Sequence, residues 1–192
     1  MIKAVIFLKR LPGMTPERFQ EHWRTRHAEL IVRLPGIRRY VQNFALEPDS
    51  AWDGIAESSF DDTAAMKALA RSPEYAAVLA DEPNFLEREA MASIITEERV
   101  VKDGPASGAK TIAWARRDGK VSVEAFFREW FGQGKRTADD PGVVRYVQCP
   151  VRRAVYDSGR TPAYDGVEMM WLRSAAEHPS GWALMGERVQ LA

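Results

Sequence analysis

Apolar and polar positions along the chain alternate with two different periods. Short runs with a period of two, typical of strands, are interrupted by longer stretches in which apolar residues recur at helical spacing. In the first half the pattern predicts, in chain order, a strand at residues 3–9, a helix at 15–34, strands at 37–46 and 55–60, a helix from 61 or 62 to 79, and a strand at 92–101. The order β-α-β-β-α-β is that of ferredoxin-like folds.

The second half of the chain repeats the first. "PGIRRYVQ" at 35–42 returns as "PGVVRYVQ" at 141–148, and its neighbours recur in the same order. Phe19 and Trp23 are matched by Phe126 and Trp130, "WDGI" by "YDGV", and "ERV" at 98–100 by "ERV" at 187–189. Several matches in one order indicate an internal duplication. The predicted elements of the second half lie at 111–117, 123–131, 143–155, 165–172 and 182–191.

Each predicted repeat has an antiparallel sheet with both helices on one face, which leaves the other face uncovered. A second such sheet is the natural cover. We therefore predict an α+β fold of two tandem ferredoxin-like repeats whose sheets pack face to face. The repeats occupy residues 1–103 and 109–192, and residues 104–108 are the linker.

The second repeat is shorter than the first. Gly54 and Glu98 are 44 positions apart, but their counterparts Gly166 and Glu187 are only 21 apart. The difference removes most of the second helix and leaves "SAAEHPSG" in its place. One face of the second sheet then lacks a covering helix. A partner subunit in a homodimer, or the first-half segment "DEPNFLEREA", could cover this face.

The composition excludes several classes of protein. Lys plus Arg and Asp plus Glu both number 27, without a basic stripe, so no nucleic-acid partner is expected. The apolar run from Ala4 to Leu8 is too short for a signal peptide or a membrane span, which predicts a cytoplasmic protein with no membrane partner. Cys149 is the only cysteine, so neither an internal disulfide nor a cysteine-based metal cluster is expected.

His27 is the first candidate for chemistry. It lies four residues after Trp23 and three before Leu30, so it extends the buried stripe of the first helix. An imidazole there is either a packed side chain or a general base with a pKa near working pH. On the residues alone the packed histidine is favoured.

Tyr40 and Gln42 share one face of the second predicted strand. The other, apolar face suits packing under the helices, so Tyr40 and Gln42 are predicted to face the cavity between the sheets. A phenol and an amide there could hydrogen-bond a carbonyl and stabilise an enolate. The same Tyr-Val-Gln recurs at 146–148, where no histidine matches His27, so a role in the scaffold is equally open.

Glu57, Met169 and Trp171 complete the predicted ligand contacts. Strand alternation sends Glu57 towards the cavity, where it could orient His27 or act as a second acid or base. A buried salt bridge from Glu57 to Arg38 or Arg39 is the favoured alternative. Met169 and Trp171 share one face of a second-half strand and could line a pocket for an aromatic ligand.

The stretches "KAVIFLKR", "LPGIRRYVQN" and "DGIAE", with Phe19, Trp23 and His27, resemble the EthD family of the dimeric α/β-barrel superfamily. The second half resembles a degenerate copy of the same domain. The resemblance implies two ferredoxin-like units whose sheets enclose a cavity, here within one chain. It also implies an active-site role for His27, because methylisomerase-like members have an active-site histidine at that position. The nucleophilic cysteine of those members has no counterpart in the first half.

The family includes isomerases, polyketide cyclases and dehydratases, cofactor-free oxygenases, haem enzymes and ligand-sensing proteins, so the resemblance does not name one reaction. We predict a cofactor-independent enzyme that acts on a small apolar or aromatic carbonyl compound, with His27 as base and Tyr40 polarising the carbonyl. One alternative is a non-catalytic ligand-binding or stress-related barrel. A less favoured one is a haem or redox protein with His27 or His178 as axial ligand. Three scattered histidines without a His-Glu-x-x-His motif predict no metal site.

Overall fold

A computed structural model describes residues 1–191, and the chain divides into two compact units. The first unit consists of Met1–Ser93 and the end of the chain from Glu187, and the second consists of Ile94–Gly186. The end of each sequence repeat is therefore grouped with the other repeat. The compact units divide after Ser93 and after Gly186, and the linker predicted at 104–108 stays a prediction.

Three antiparallel strands form the centre of the first unit. They are β1 (Ile2–Leu8), β2 (Ile37–Ala45) and β3 (Gly54–Phe60). The middle strand β3 pairs with β1 from Ile2↔Phe60 to Leu8↔Gly54 and with β2 on its other side. All seven residues of β3 are buried, as expected for a central strand covered on both faces.

The first helical segment contains a π-helical turn. Helix α1 (Pro16–His22) is followed by the π turn Trp23–His27 and by α2 (Ala28–Ile31). The Thr15 side chain accepts a hydrogen bond from the Arg18 N–H, as expected for an N-cap.

The second predicted helix is two helices, α3 (Thr63–Leu69) and α4 (Pro73–Asp81). Asp62 caps α3, and Ser72 accepts from the N–H of Tyr75 to cap α4. The prediction of one continuous helix is wrong because Ser72 and Pro73 provide a new N-cap and first helical position.

The predicted strand at 92–101 is also two strands, β4 (Ala92–Thr96) and β5 (Arg99–Lys102). In the second unit β5 pairs antiparallel with β7 (Val143–Pro150), with Arg99 opposite Gln148.

The second unit repeats the strand pattern of the first. Strand β8 (Gly166–Leu172) pairs antiparallel with β6 (Ala109–Ala115) on one side and with β7 on the other. The first residues of β9 (Ala183–Leu191) pair with β6. The same order of pairing in both units confirms the predicted α+β fold of tandem ferredoxin-like repeats.

Two helices accompany this sheet, α5 (Val123–Ala138) and the short α6 (Arg153–Asp157). The predicted strand at 143–155 was too long, because Pro150 lacks the N–H that would continue the ladder and α6 follows. Within residues 1–191 no helix has both the length and the apolar character needed to cross a membrane.

The predicted loss of the second helix is observed in the second unit. After β8 there is only the 3₁₀ turn Ala175–Glu177. The sheet face at this place is nevertheless covered, because Trp182 and Val101 pack on a buried cluster consisting of Ala138, Val143, Tyr146, Met170 and Leu172. In the first unit, Phe85 of the "DEPNFLEREA" segment packs on Phe19, with 5.9 Å between ring centroids.

Candidate functional site

The π turn Trp23–His27 positions His27 in the first unit. In this turn the Ala28 N–H donates to the carbonyl oxygen of Trp23, five residues earlier. Single π turns inside α-helices are frequently found at functional sites. Trp23 and His27 are both buried, and the His27 ring lies 4.8 Å from the Phe85 ring. The widened turn thus brings both side chains into the core.

The Asp81 carboxylate, at the end of α4, is the partner of His27. Its Oδ2 atom lies 3.0 Å from His27 Nδ1 and 3.0 Å from His22 Nε2. Asn84 donates to Oδ1 at 3.3 Å, and Arg26 Nε lies 3.3 Å from the same oxygen. Because the carboxylate only accepts hydrogen bonds, His27 Nδ1 carries the hydrogen and its Nε2 carries the lone pair.

The surroundings favour the neutral form of His27 and the ionised form of Asp81. Burial lowers the pKa of His27, and the opposing effect of Asp81 is smaller. For Asp81, burial acts to raise the pKa, but hydrogen bonds from His22, His27 and Asn84 together lower it. A neutral imidazole oriented by an ionised carboxylate is the arrangement of a general base.

Tyr40 and Gln42 form a buried network with Trp23. Trp23 Nε1 donates to the Tyr40 hydroxyl oxygen at 2.8 Å, and Gln42 Nε2 donates to the Trp23 carbonyl at 2.7 Å. Gln42 Nε2 also approaches the Tyr40 oxygen, at 3.4 Å. Burial raises the pKa of Tyr40, so the phenol keeps its proton at neutral pH. Because its oxygen accepts from N–H groups, the Tyr40 hydrogen is the part that can donate to a carbonyl.

The predicted orientation of Tyr40 and Gln42 is wrong. Both contact Trp23, and the Phe44 ring lies 4.7 Å from the Trp23 ring, so these side chains of β2 lie under the helix. Val41, which points to the opposite face, is also buried, so the alternation of apolar and polar side chains does not tell the two faces of β2 apart. Tyr40 therefore lies on the same side of the sheet as the helical segment that carries His27.

Glu57 lies on the opposite face of the first sheet. Its Oε2 pairs with Lys3 Nζ at 2.7 Å, and Asn43 Nδ2 donates to Oε1 at 3.1 Å. Lys3 and Glu57 are 5% and 3% exposed, so this is a buried ion pair. The predicted salt bridge of Glu57 is therefore made with Lys3 and not with Arg38 or Arg39. Arg38 instead pairs with Asp61 at the surface.

Met169 and Trp171 lie on one face of β8, opposite Ile112 and Lys110 of β6. Both are buried, and Lys110 Nζ lies 4.6 Å from the centre of the Trp171 ring. Their role as ligand contacts stays a prediction. Lys110 itself was not predicted.

The repeated Trp, Gly and Gln residues share one structural role. A side chain at Gly54 would overlap the Trp23 ring, and one at Gly166 would overlap the Trp130 ring. Gln148 Nε2 donates to the Trp130 carbonyl at 2.9 Å, as Gln42 does to Trp23. The duplicated motif therefore locks a helix tryptophan onto the sheet in each unit.

The repeated Asp-Gly pair has a second role, through the aspartate. The backbone N–H of Arg10 donates to Asp53 at 2.9 Å, and that of Arg117 donates to Asp165 at 2.7 Å. These contacts hold the end of the first strand of each unit.

The second unit has no counterpart of His27. Gly134 occupies that position, and a side chain there would overlap the Gln148 amide. Tyr146 donates to Glu168 Oε1, an oxygen that also accepts from Gln148 Nε2 at 3.0 Å. Sequence reasoning missed Glu168, which lies where the first repeat has Ala56.

The remaining candidate residues give no further site. Cys149 is fully buried in β7, as expected for a small strand residue. His178 follows the 3₁₀ turn of the second unit. Across the described residues 1–191, no group of three or more His, Cys, Asp and Glu side chains is arranged to hold a metal ion.

Comparison with known proteins gives matches to one repeat and to the whole chain. The model of the EthD domain matches residues 11–89, and no curated protein is significantly similar to the chain. An anthrone oxidase-like protein matches in structure with a TM-score of 0.64 and 10% identity, over 98% of this chain and 92% of its own.

Two further solved structures are similar. A candidate monooxygenase from Fusobacterium nucleatum has a TM-score of 0.60 and 9% identity, over 98% of this chain and 93% of its own. An EthD family protein from Bacillus halodurans has a TM-score of 0.44 and 26% identity, over 52% of this chain and 100% of its own. The two matches that span nearly the whole chain show that both repeats belong to a known fold.

Proposed function

We propose that this protein is an enzyme that binds a small apolar or aromatic carbonyl compound and removes a proton next to the carbonyl, without a cofactor. The match of the EthD domain model to residues 11–89 supports the proposal. His27 is the base and Tyr40 polarises the carbonyl. Isomerisation, cyclisation, dehydration and oxygenation all begin with this step. The fold shared with an anthrone oxidase-like protein makes aromatic ketones the first substrates to test.

The observation that carries the proposal is the pairing of a buried histidine with a buried carboxylate. Asp81 accepts from Nδ1 of His27 at 3.0 Å, which leaves Nε2 able to take a proton. Phe85 packs against the imidazole and limits its rotation. Orientation by a carboxylate and packing by an aromatic ring are what a base needs to hold one productive geometry.

In the proposed step His27 Nε2 takes the proton from the carbon next to the carbonyl. The C–H electron pair moves into the carbonyl group and gives an enolate, whose oxygen accepts the hydrogen bond from Tyr40. Ionised Asp81 stabilises the imidazolium that forms. The helix of His27 and the Tyr40 hydroxyl meet through Trp23, which supports their action on one ligand.

The other predicted contacts differ in their support. The Gln42 amide binds the Trp23 carbonyl and accepts from Gln190 Nε2 at 2.7 Å, so we propose that it positions Tyr40. Glu57 is neutralised by Lys3 on the other face of the sheet, which favours a structural role. Met169 and Trp171 are retained as proposed apolar contacts of the second unit.

The test is turnover of a panel of carbonyl compounds that begins with anthrone. His27→Ala is expected to lower turnover by about 10³-fold, the size of a typical general-base contribution. His178→Ala is the matched control, because it removes a histidine of the second unit, and it should stay close to the unmodified protein. Equal turnover by His27→Ala and the unmodified protein would refute the proposed role of His27.

A second candidate is a ligand-binding protein without catalysis. It is favoured by the recurrence of the Tyr–Gln pair in the second unit without the histidine, which supports a role of the pair in the scaffold. Calorimetry on the same panel separates the two. Binding that is equally strong in His27→Ala, with no turnover of any compound by the unmodified protein, would establish the second candidate.

A further inference from the structure

The first repeat has one residue more than the second in its first helical segment. Trp23 and Pro35 are 12 positions apart, but their counterparts Trp130 and Pro141 are 11 apart. The second unit has an uninterrupted helix here, α5, whereas the first unit has the π turn Trp23–His27. The hydrogen bond of a π turn spans five residues and that of an α-helix spans four, so the π turn takes up the extra residue.

The π turn brings His22 and His27 to one side of the helical segment. In a regular α-helix of 3.6 residues per turn, side chains five positions apart point about 140° away from each other. Here the helix widens between the two histidines, and both rings pack on Phe85, with centroid distances of 4.6 Å for His22 and 4.8 Å for His27. The extra residue therefore allows the buried imidazole and a second imidazole to share one partner.

That shared partner is the Asp81 carboxylate. His22 Nε2 donates to Asp81 Oδ2 at 3.0 Å and lies 3.1 Å from Oδ1, while His27 Nδ1 donates to Oδ2 at 3.0 Å. The contacts of Oδ1 with Asn84 Nδ2 and Arg26 Nε are longer, at 3.3 Å each. Asp81 is buried, so these side chains, and not solvent, determine how its carboxylate is oriented.

Among the donors to Asp81 other than His27, His22 is the best fixed. Its ring is stacked on Phe85 with an angle of 25° between the planes, which limits its rotation. The Arg26 side chain is largely exposed, and exposed ion pairs contribute little. His22 itself is half-buried at the surface, whereas His27 lies in the core. His22 therefore acts on His27 through Asp81 and is not placed to meet a ligand beside His27.

We infer that His22 is a positioning residue, which holds the Asp81 carboxylate so that Oδ2 stays on His27 Nδ1 and the lone pair of His27 stays on Nε2. The inference rests on the proposed role of His27 as base. A carboxylate that is itself hydrogen-bonded fixes the tautomer and the ring orientation of its histidine. The extra residue of the first repeat thus supplies the base with a second support, which the second unit lacks together with the base.

The test uses variants of the full-length protein that separate the N–H of His22 from its ring. His22→Phe keeps a ring on Phe85 and removes the N–H. His22→Gln places an amide N–H where Nε2 was, and His22→Met has the same length as His22→Gln but no N–H. Glu129→Gln is the control, because Glu129 precedes Trp130 as His22 precedes Trp23, and it is exposed and paired with Arg136.

The first measurement is the exchange of the His27 Nδ1–H hydrogen with water, followed by ¹⁵N NMR and assigned by the loss of its signal in His27→Ala. The second is steady-state turnover of anthrone. His22→Phe and His22→Met should speed the exchange and lower kcat by about 10-fold at unchanged KM, the size of effect typical for a partner of this kind. His22→Gln and Glu129→Gln should match the unmodified protein in both measurements.

An unchanged exchange rate in His22→Phe and His22→Met would overturn the inference. So would equally fast exchange in His22→Gln and His22→Met, since the N–H would then make no difference. The exchange measurement needs no substrate, so failure here is distinguishable from failure of the proposed catalysis. Faster exchange in His22→Phe, with turnover that is the same in His27→Ala and the unmodified protein, would uphold the hold of His22 on Asp81 and refute His27 as base.

Discussion

In the first unit a histidine on the helix meets an aspartate at the end of a second helix, whereas in the second unit the histidine position is glycine and the second helix is missing. Asp81 lies within the stretch that the second repeat lacks, so His27 and the carboxylate that hydrogen-bonds to it both have no counterpart in the second unit. The Trp, Tyr, Gln, Gly and Asp residues that build the scaffold remain in both units. The comparison separates residues that the fold needs from residues that proton transfer would need.

Gly54→Ala and Gly166→Ala test whether the two scaffolds are equivalent. Each added methyl group would overlap a buried tryptophan ring, so each should lower the free energy of unfolding by about 3 kcal/mol. Urea unfolding followed by fluorescence measures both. Gly132→Ala is the control, because a methyl group there meets only the Arg136 side chain at 3.7 Å and should stabilise the helix by about 1 kcal/mol. A marked cost in one unit alone would contradict equivalent packing.

Asp81→Asn tests the part that only the first unit has. The amide cannot orient His27 or stabilise its imidazolium as a carboxylate does, so turnover should fall by about 10²-fold. Steady-state kinetics should show the loss in kcat rather than in KM. Asp157→Asn is a control, since it changes an exposed aspartate of the second unit that pairs with Arg153. A change confined to KM would instead assign Asp81 to ligand binding.

Trp23→Phe and Trp130→Phe sharpen the comparison further. The first removes an indole N–H that donates to Tyr40 at 2.8 Å, and the second removes one whose contact with Glu168 falls outside hydrogen-bonding geometry. Trp23→Phe should therefore cost more unfolding free energy than Trp130→Phe, by about 1 kcal/mol, the net value of a typical hydrogen bond. Both variants lose similar ring contacts, so the difference between their unfolding free energies, measured with urea, reports mainly on the hydrogen bond. Equal costs would mean that the Trp23 hydrogen bond adds no stability.

The sequence predicted the fold well because the duplication is carried by residues with strict packing demands. Gly54 and Gly166 lie against tryptophan rings, so neither position tolerates a side chain, and the motif survives in both halves. The resemblance to the EthD family is confirmed over residues 11–89. Ser72 and Pro73 mark the break between α3 and α4 as an N-cap and a first helical position, which the prediction of one helix to residue 79 did not include.

The site was less predictable, for physical reasons. His27 was found because it continues a helical stripe, but Asp81 is 54 residues away and meets it only through tertiary packing. The faces of β2 were assigned in reverse because Val41 and Gln42 are both buried and neither marks the solvent side. Glu168 has no repeat counterpart with similar chemistry, so the comparison of halves gave no signal for it.

The most direct test of the account is the pH titration of His27 by ¹⁵N NMR in the unmodified protein. We expect Nδ1 to carry the hydrogen and Nε2 to be unprotonated at neutral pH, with a His27 pKa below its ordinary value of about 6.5 because burial lowers it. Below that pKa the ring gains its second proton and the base is lost, so turnover should fall on the same acidic limb. A His27 ring whose Nε2 carries the hydrogen at neutral pH would contradict the proposed base.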